Sequence, residues 1–286
     1  MSLPCKTGLI TSDGRDHLNV ELSWEDIVWS DPDGGKIVLH GVLPTTVYPQ
    51  ALRPRMEWHA LALLEGPEIE DVWVLEEESE KESPGINLAS AILGGGIDSA
   101  LIEDLTQLDE LQTGRFPDPE PRRLHRLALR HNRPVYCIEP TLDDSEWEEQ
   151  RTLEAKASTH WRKLLSMVRI GKKWRKAVKV RIFDAVPPPK NVAKDMATAA
   201  VLTAAWWDLT ESRINASLSN ARDKRFAQRL RGALANEREK HGEAATLLLP
   251  MVQTWRPAIL GMLNSTPKPE EIISSTGPSE QLEEEE

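Results

Sequence analysis

The chain has 286 residues, 40% of them apolar and 28% charged, with a formal net charge of −11. A chain this long can bury a sizeable core; its composition excludes disorder as the default state, and its acidity argues against a general phosphate-backbone binder. Two cysteines, Cys5 and Cys137, make no credible disulfide framework, and no apolar run approaches the roughly 18 residues of a spanning helix, so a cytoplasmic protein without a transmembrane segment is expected.

In chain order, His17 to Leu22 alternates apolar and polar residues, and Asp31-Pro32-Asp33-Gly34-Gly35 is a cluster of turn formers. Lys36 to Val42 then reads as a strand. Gln50 to Leu64 places Leu52, Met56, Ala60, Leu63 and Leu64 at helical spacing, and Asp71 to Leu75 is a short apolar run bounded by charge, as in a buried parallel strand. Strand, helix and strand together predict a βαβ unit. Glu78 to Pro84 reads as a charged loop, Ile86 to Leu93 as an apolar stretch, and Ile97 to Leu111 as a helix after Gly94-Gly95-Gly96.

Pro117, Pro119 and Pro121 form a connector that cannot continue that helix. An amphipathic basic helix, Arg122 to His131, and a strand, Val135 to Ile138, follow. Residues 143–185 read as a long helical insertion, and two further helical blocks span 190–240. Ala244 to Val252 predicts the last strand and Arg256 to Leu263 the closing helix. The expected fold is α/β, a mixed or mostly parallel sheet flanked by helices, with a long helical segment in the second half. Residues 1–264 would form a single domain, and 265–286 a disordered acidic tail whose composition cannot bury a core.

Several residue groups bear on chemistry. Gly94 to Ser99 resembles the Ser-Gly-Gly-x-Asp-Ser loop of the PP-loop ATP pyrophosphatases, with glycine at the first serine position. In that reading Gly95 and Gly96 would cradle phosphate while Asp98 and Ser99 open a helix; the plainer alternative is a flexible turn with a helix cap. His40 and Gly41 end the first strand, where α/β proteins place ligands. The basic helix Arg122, Arg123, Arg126 and Arg130 reads as an anion site or, more simply, a solvated face. A second basic stretch, Arg162 to Lys179 with Trp161 and Trp174, reads as a membrane-surface contact or a wet helix face. Ten tryptophans against two tyrosines and three phenylalanines favour core or interface packing over base stacking. The seven histidines lack metal-ligand spacing, so no metal and no cofactor is expected.

Taken in order, the segments resemble the TraB/PrgY family, relatives of the GumN and Tiki proteins, over residues 36–263. Ile37 to Pro44 resembles that family's apolar strand followed by Gly-x-x-His, and Val72 to Glu76 its valine-rich strand ending in glutamate. Arg122 to Glu139 is similar to its helix and strand before an acidic residue. Ala221 to Ala227 looks like its Arg-Asp motif, and Leu247 to Ile259 its last strand and second Gly-x-x-His. Pro44 and Trp255 stand where the two motifs need histidine, and Val252 stands where the second needs glycine.

In the metalloprotease-like relatives those histidines are thought to belong to a metal site. The resemblance therefore implies a pseudoenzyme: an inactive relative of TraB-type metal-dependent hydrolases that binds or regulates. A vestigial cleft would hold Glu76, Arg222 and Asp223, and the Trp-rich helical surface would meet an unidentified protein or small-molecule partner, a homodimer being one form of it. The alternative is an active hydrolase or nucleotide-binding enzyme using Glu76 and Arg222 or the Gly94–Ser99 loop.

Overall fold

The computed structural model describes residues 22–141, 143–161 and 169–275. Among them lie five strands, β1 (Ile27–Ser30), β2 (Lys36–Val42), β3 (Ala60–Leu63), β4 (Val135–Cys137) and β5 (Thr246–Val252). Their order in the sheet is β1-β2-β5-β3-β4. Only β1 is antiparallel, joined to β2 through the Asp31–Gly35 turn. The last strand is inserted at the centre, with Leu39 beside Leu249 on one side and Leu61 beside Leu248 on the other.

Among the described residues nine α-helices accompany the sheet: α1 (Ile69–Glu82), α2 (Ile86–Leu93), α3 (Gly96–Leu105), α4 (Pro119–Arg130), α5 (Ser145–Ser158), α6 (Ile170–Arg181), α7 (Asp195–Glu211), α8 (Ala216–His241) and α9 (Arg256–Asn264). The α/β fold and its mostly parallel sheet are as the residue pattern predicts, and the long second-half helix is α8, with 26 residues. Alternation along β2 sends Ile37 and Leu39 to one face, where they pack with Phe226, Leu230 and Leu234 of α8. Val38 points to the other face with Trp73 of α1 and Leu124 of α4. Beyond the carboxyl end of β2, Val42 and Leu43 join a helical cluster built from α3, α6 and α7. That cluster lies over the end of the sheet where a ligand site is expected.

Three parts of the sequence reading differ: Glu78–Glu82, read as the start of a charged loop, continues helix α1, and two elements change kind. Gln50 to Leu64 is not a helix: a 3-10 turn covers Gln50–Leu52, Pro54 interrupts, and Ala60–Leu63 is a strand. All four β3 residues are buried, so a strand covered on both faces shows no alternation that would betray it. Asp71 to Leu75 is not a strand but part of α1. Val72, Val74 and Leu75 are exposed there and Trp73 alone turns inward, while the following Glu and Lys residues favour helix. The proposed βαβ unit is corrected accordingly, since β2 and β3 are joined without an α-helix and β5 lies between them.

Residues 265–275, assigned by composition to a disordered tail, lie along the fold: Ile272 is buried, and Ser275 donates from its backbone N–H to the Val135 carbonyl at 2.8 Å. One well-placed apolar side chain and a few backbone bonds hold a segment whose composition could not build a core. The stretch 276–286, and the alternating segment before Leu22, lie outside the described residues. Trp29, Trp58, Trp73, Trp147 and Trp174 are buried, whereas Trp161 is exposed, so most of the tryptophan content near the sheet is packing. No helix among the described residues is long and apolar enough to cross a membrane.

Candidate functional site at the carboxyl ends of the strands

Four parallel strands end side by side, and each is followed by residues with chemistry. In β2, His40 is buried and its Nδ1 lies 2.7 Å from Asp26 Oδ1. Its Nε2 lies 3.7 Å from Glu120 Oε1 and has no hydrogen-bond partner. Burial pulls the imidazole pKa down, but the two carboxylates outweigh it and raise it above the ordinary histidine value. Gly41 is required by a close approach: a Cβ there would come within 2.8 Å of Arg256 Cζ. That guanidinium is buried against the first strand's approach, donating to the Glu25 carbonyl at 2.7 Å and the Ser23 carbonyl at 2.6 Å.

The loop after β2 is laced to residues 112–119. Arg115 N–H donates to the Thr45 carbonyl at 3.0 Å and Val47 N–H to the Gln112 carbonyl at 2.9 Å. This lacing brings Asp118 and Glu120 to the end of the sheet. Glu120 is buried, and two bonds from Arg123, at 2.9 and 2.5 Å, neutralise it. Burial pushes its pKa up, but Arg123 and His40 bring it below the ordinary value. Among the described residues no cation pairs with Asp118 in this way. Its Oδ1 is buried without a partner, and burial, with the nearby carboxyls of Glu65 and Glu120, pushes its pKa up to about 7.

Glu65 follows β3 and Glu139 follows β4, joined by a backbone bond from Glu139 N–H to the Glu65 carbonyl at 3.2 Å. Glu65 is exposed at its surface, yet the protein around its base and the Glu139 carboxyl push its pKa up to about 7. Burial likewise raises the pKa of Glu139, which accepts from Trp147 Nε1 at 3.3 Å and faces Arg151 at 3.6 Å. An acidic row therefore runs across the strand ends, from Asp26 through Glu120, Asp118 and Glu65 to Glu139. Adjacent carboxyls in such a row cannot all ionise cheaply, so some hold protons near neutral pH.

After β5 comes Trp255. Its Nε1 donates to Asp223 Oδ1 at 3.1 Å, and the Arg222 guanidinium lies 4.9 Å above its ring. Arg222 also pairs with Asp223 at 3.0 Å and Glu211 at 3.1 Å. Burial dominates at Asp223 and pushes its pKa up to about 6 in spite of the arginine. Trp255 is thus a packed indole that anchors this ion pair.

The structure brings Arg222 and Asp223 together but not Glu76. Glu76 lies on α1, whose Trp73 packs on the sheet face opposite that covered by α8. It is half-buried, and burial alone raises its pKa. Val72–Glu76 lies within α1 and is not a strand ending in glutamate; the strands followed by an acid are β3, with Glu65, and β4, with Glu139. The signal was present in the sequence: Glu65 and Glu139 each follow a short apolar run directly.

Gly94, Gly95, Gly96 and Asp98 line a cleft of about 890 Å³ with Arg151 and Glu154 of α5 and with Thr210 and Arg213. Gly95 and Gly96 both adopt positive φ, 69° and 87°. This turn joins two helices instead of following a strand, unlike the pyrophosphatase loop it resembles. Ser99 is buried and its hydroxyl donates to the Ile92 carbonyl at 2.8 Å, while Asp98 accepts from Trp206 Nε1 at 2.6 Å. Both side chains are committed to packing α3 in place.

No group of three or more His, Cys, Asp or Glu residues is placed to hold a metal ion among the described residues. Part of the basic stretch 162–179 lies outside them; within the rest, Trp174 is buried and donates to Asp104 Oδ2 at 2.7 Å. A scan against family models finds no match, and neither the curated proteins nor the solved structures yield one.

Proposed function

We propose that the chain is a binding or regulatory protein with the architecture of the TraB/PrgY relatives and without their metal-dependent hydrolysis. Its ligand enters over the carboxyl ends of β2, β5, β3 and β4 and is held by protonated carboxyls and buried arginine. The observation that carries this reading is Trp255. A side chain bonded to Asp223 and stacked beneath Arg222 has been given a packing role where a metal ligand would stand. An indole N–H can donate but cannot coordinate a metal. Pro44, after β2, has no coordinating side-chain atom either.

A second reading, an acid–base enzyme working in the same cleft, draws support from Glu65 and Asp118. Groups titrating at about 7 suit proton transfer at neutral pH. One experiment separates the two. The full chain is titrated calorimetrically with manganese, cobalt and zinc, and assayed on a panel of peptide and ester substrates alongside Glu65→Gln. The binding reading expects neither stoichiometric metal uptake nor turnover. Turnover abolished by Glu65→Gln would establish the enzyme reading, and stoichiometric metal with turnover would restore the metal hydrolase.

A further inference from the structure

On the outer side of the 112–119 segment, α1, α4 and the loop after β2 enclose an open groove of about 850 Å³. Its lining is strongly cationic in a chain whose formal net charge is −11. Three of its arginines are already held: Arg122 and Arg126 by Glu77, at 2.8 and 2.5 Å, and Arg123 by Glu120. The groove's other acid, Glu80, is occupied by the Gly85 N–H at 2.7 Å and the Asn87 amide at 3.2 Å. Arg53, Arg115, Arg130 and Lys81 are left with no carboxylate partner among the described residues, and Arg53 Nε is buried without any hydrogen-bond partner.

These four cations come from four different places: the 3-10 turn before β3, the 112–119 segment, α4 and α1. Cations converging from separate elements enclose a compact charge, whereas a nucleic-acid surface would present them along a strip. The groove volume falls within the usual range of small-molecule sites. Val47, Phe116, Pro117 and Leu127 add an apolar wall. A ligand matching this lining carries several negative charges at one end and an apolar or planar group at the other.

We infer that this groove is a binding site for an organic polyphosphate, with Arg53, Arg115, Arg130 and Lys81 taking the phosphates and Phe116 with its neighbours taking the organic part. The site does not depend on the strand-end reading, because none of these four cations contacts the acidic row. Guanidinium groups favour phosphate oxygens through paired, charge-assisted hydrogen bonds.

The test is calorimetric titration of the full chain with ATP and, separately, with inorganic tripolyphosphate at pH 7.5 in moderate salt. Saturable binding with one ATP per chain is expected, with tripolyphosphate bound no more tightly. Arg115→Ala with Arg130→Ala, both at exposed positions, should weaken ATP by about tenfold or more. A control pair on α6, Lys172→Ala with Lys176→Ala, should leave it unchanged. Absence of saturable ATP binding would overturn the inference, as would an equal loss in both double variants. Binding of tripolyphosphate without ATP would overturn the organic half of the ligand.

Discussion

The two ends of the parallel sheet treat their acidic side chains in opposite ways. At the amino end, Arg231 of α8 donates to both oxygens of Asp31, at 2.8 and 2.9 Å, and to Asp33 at 2.7 Å. Burial pushes the Asp31 pKa up, but the arginine bonds outweigh it and hold it below the ordinary aspartate value. At the carboxyl end, acids outnumber their cations. Asp118 and Glu65 rise to about 7, and polar atoms such as His40 Nε2 are left without a partner. A saturated network holds a turn and a helix together. An unsaturated one is held in place by the rest of the fold and is available to a ligand or a proton.

The sharpest way to break this comparison is at the saturated end. Arg231→Ala leaves Asp31 buried without its main partner and should cost roughly 3–5 kcal/mol, read by urea denaturation at pH 7. A cost below about 1 kcal/mol would mean that the pair is not structural in this sense. Next in size is Asp118→Asn at the other end. Because the folded-state pKa of Asp118 is raised, its stabilising proton is fully present below the unfolded value and is lost as pH rises through about 7. The amide should therefore change little at pH 4 or below and stabilise increasingly between about pH 4 and pH 7, by up to about 4 kcal/mol at pH 8. Thermal melts across that range check the sign, and a loss of stability at pH 8 would contradict it.

Smaller effects refine the picture. Trp255→Phe keeps a ring beneath Arg222 but removes the donor to Asp223, and should cost about 1 kcal/mol. It should also move the Asp223 titration above its present value of about 6, followed by carboxyl NMR. Glu76→Ala is expected to change stability by less than about 0.5 kcal/mol, since its side chain belongs to neither end and alanine favours helix. A large loss of ligand binding in that variant would return Glu76 to the site.

How much of this was legible in the sequence follows from what each element must satisfy. β2 and β5 could be read because their apolar runs are flanked by turn formers or charge, and α4 and α8 because amphipathic or charged stretches of that length favour helix. β3 and α1 were exchanged in kind. A four-residue strand covered on both faces carries no period, and a helix turning only Trp73 inward looks locally like an apolar strand. That exchange put Glu76, a residue of α1, in the place of an acid that follows a strand, where the structure has Glu65.

Arg222 and Asp223 were singled out through the Arg-Asp motif of the resembled family, and the structure pairs them at 3.0 Å. Asp26 was not, because it meets His40 only through the antiparallel pairing of β1 with β2, and Asp118 and Glu120 were not, because they approach His40 and Glu65 only through the lacing of the β2 loop to residues 112–119. The basic helix was visible, but its groove is completed by Arg53 and Arg115, which lie far from it in the chain.

The measurement closest to the central claim is a site-resolved titration of the side-chain carboxyls by carbon NMR, with Glu65→Gln and Asp118→Asn used for assignment. The account predicts two carboxyls at the strand ends titrating near pH 7, while Asp31 titrates below the ordinary aspartate range. Glu65 and Asp118 both titrating below about pH 5, the ordinary carboxylate range, would contradict it and make the two ends of the sheet alike.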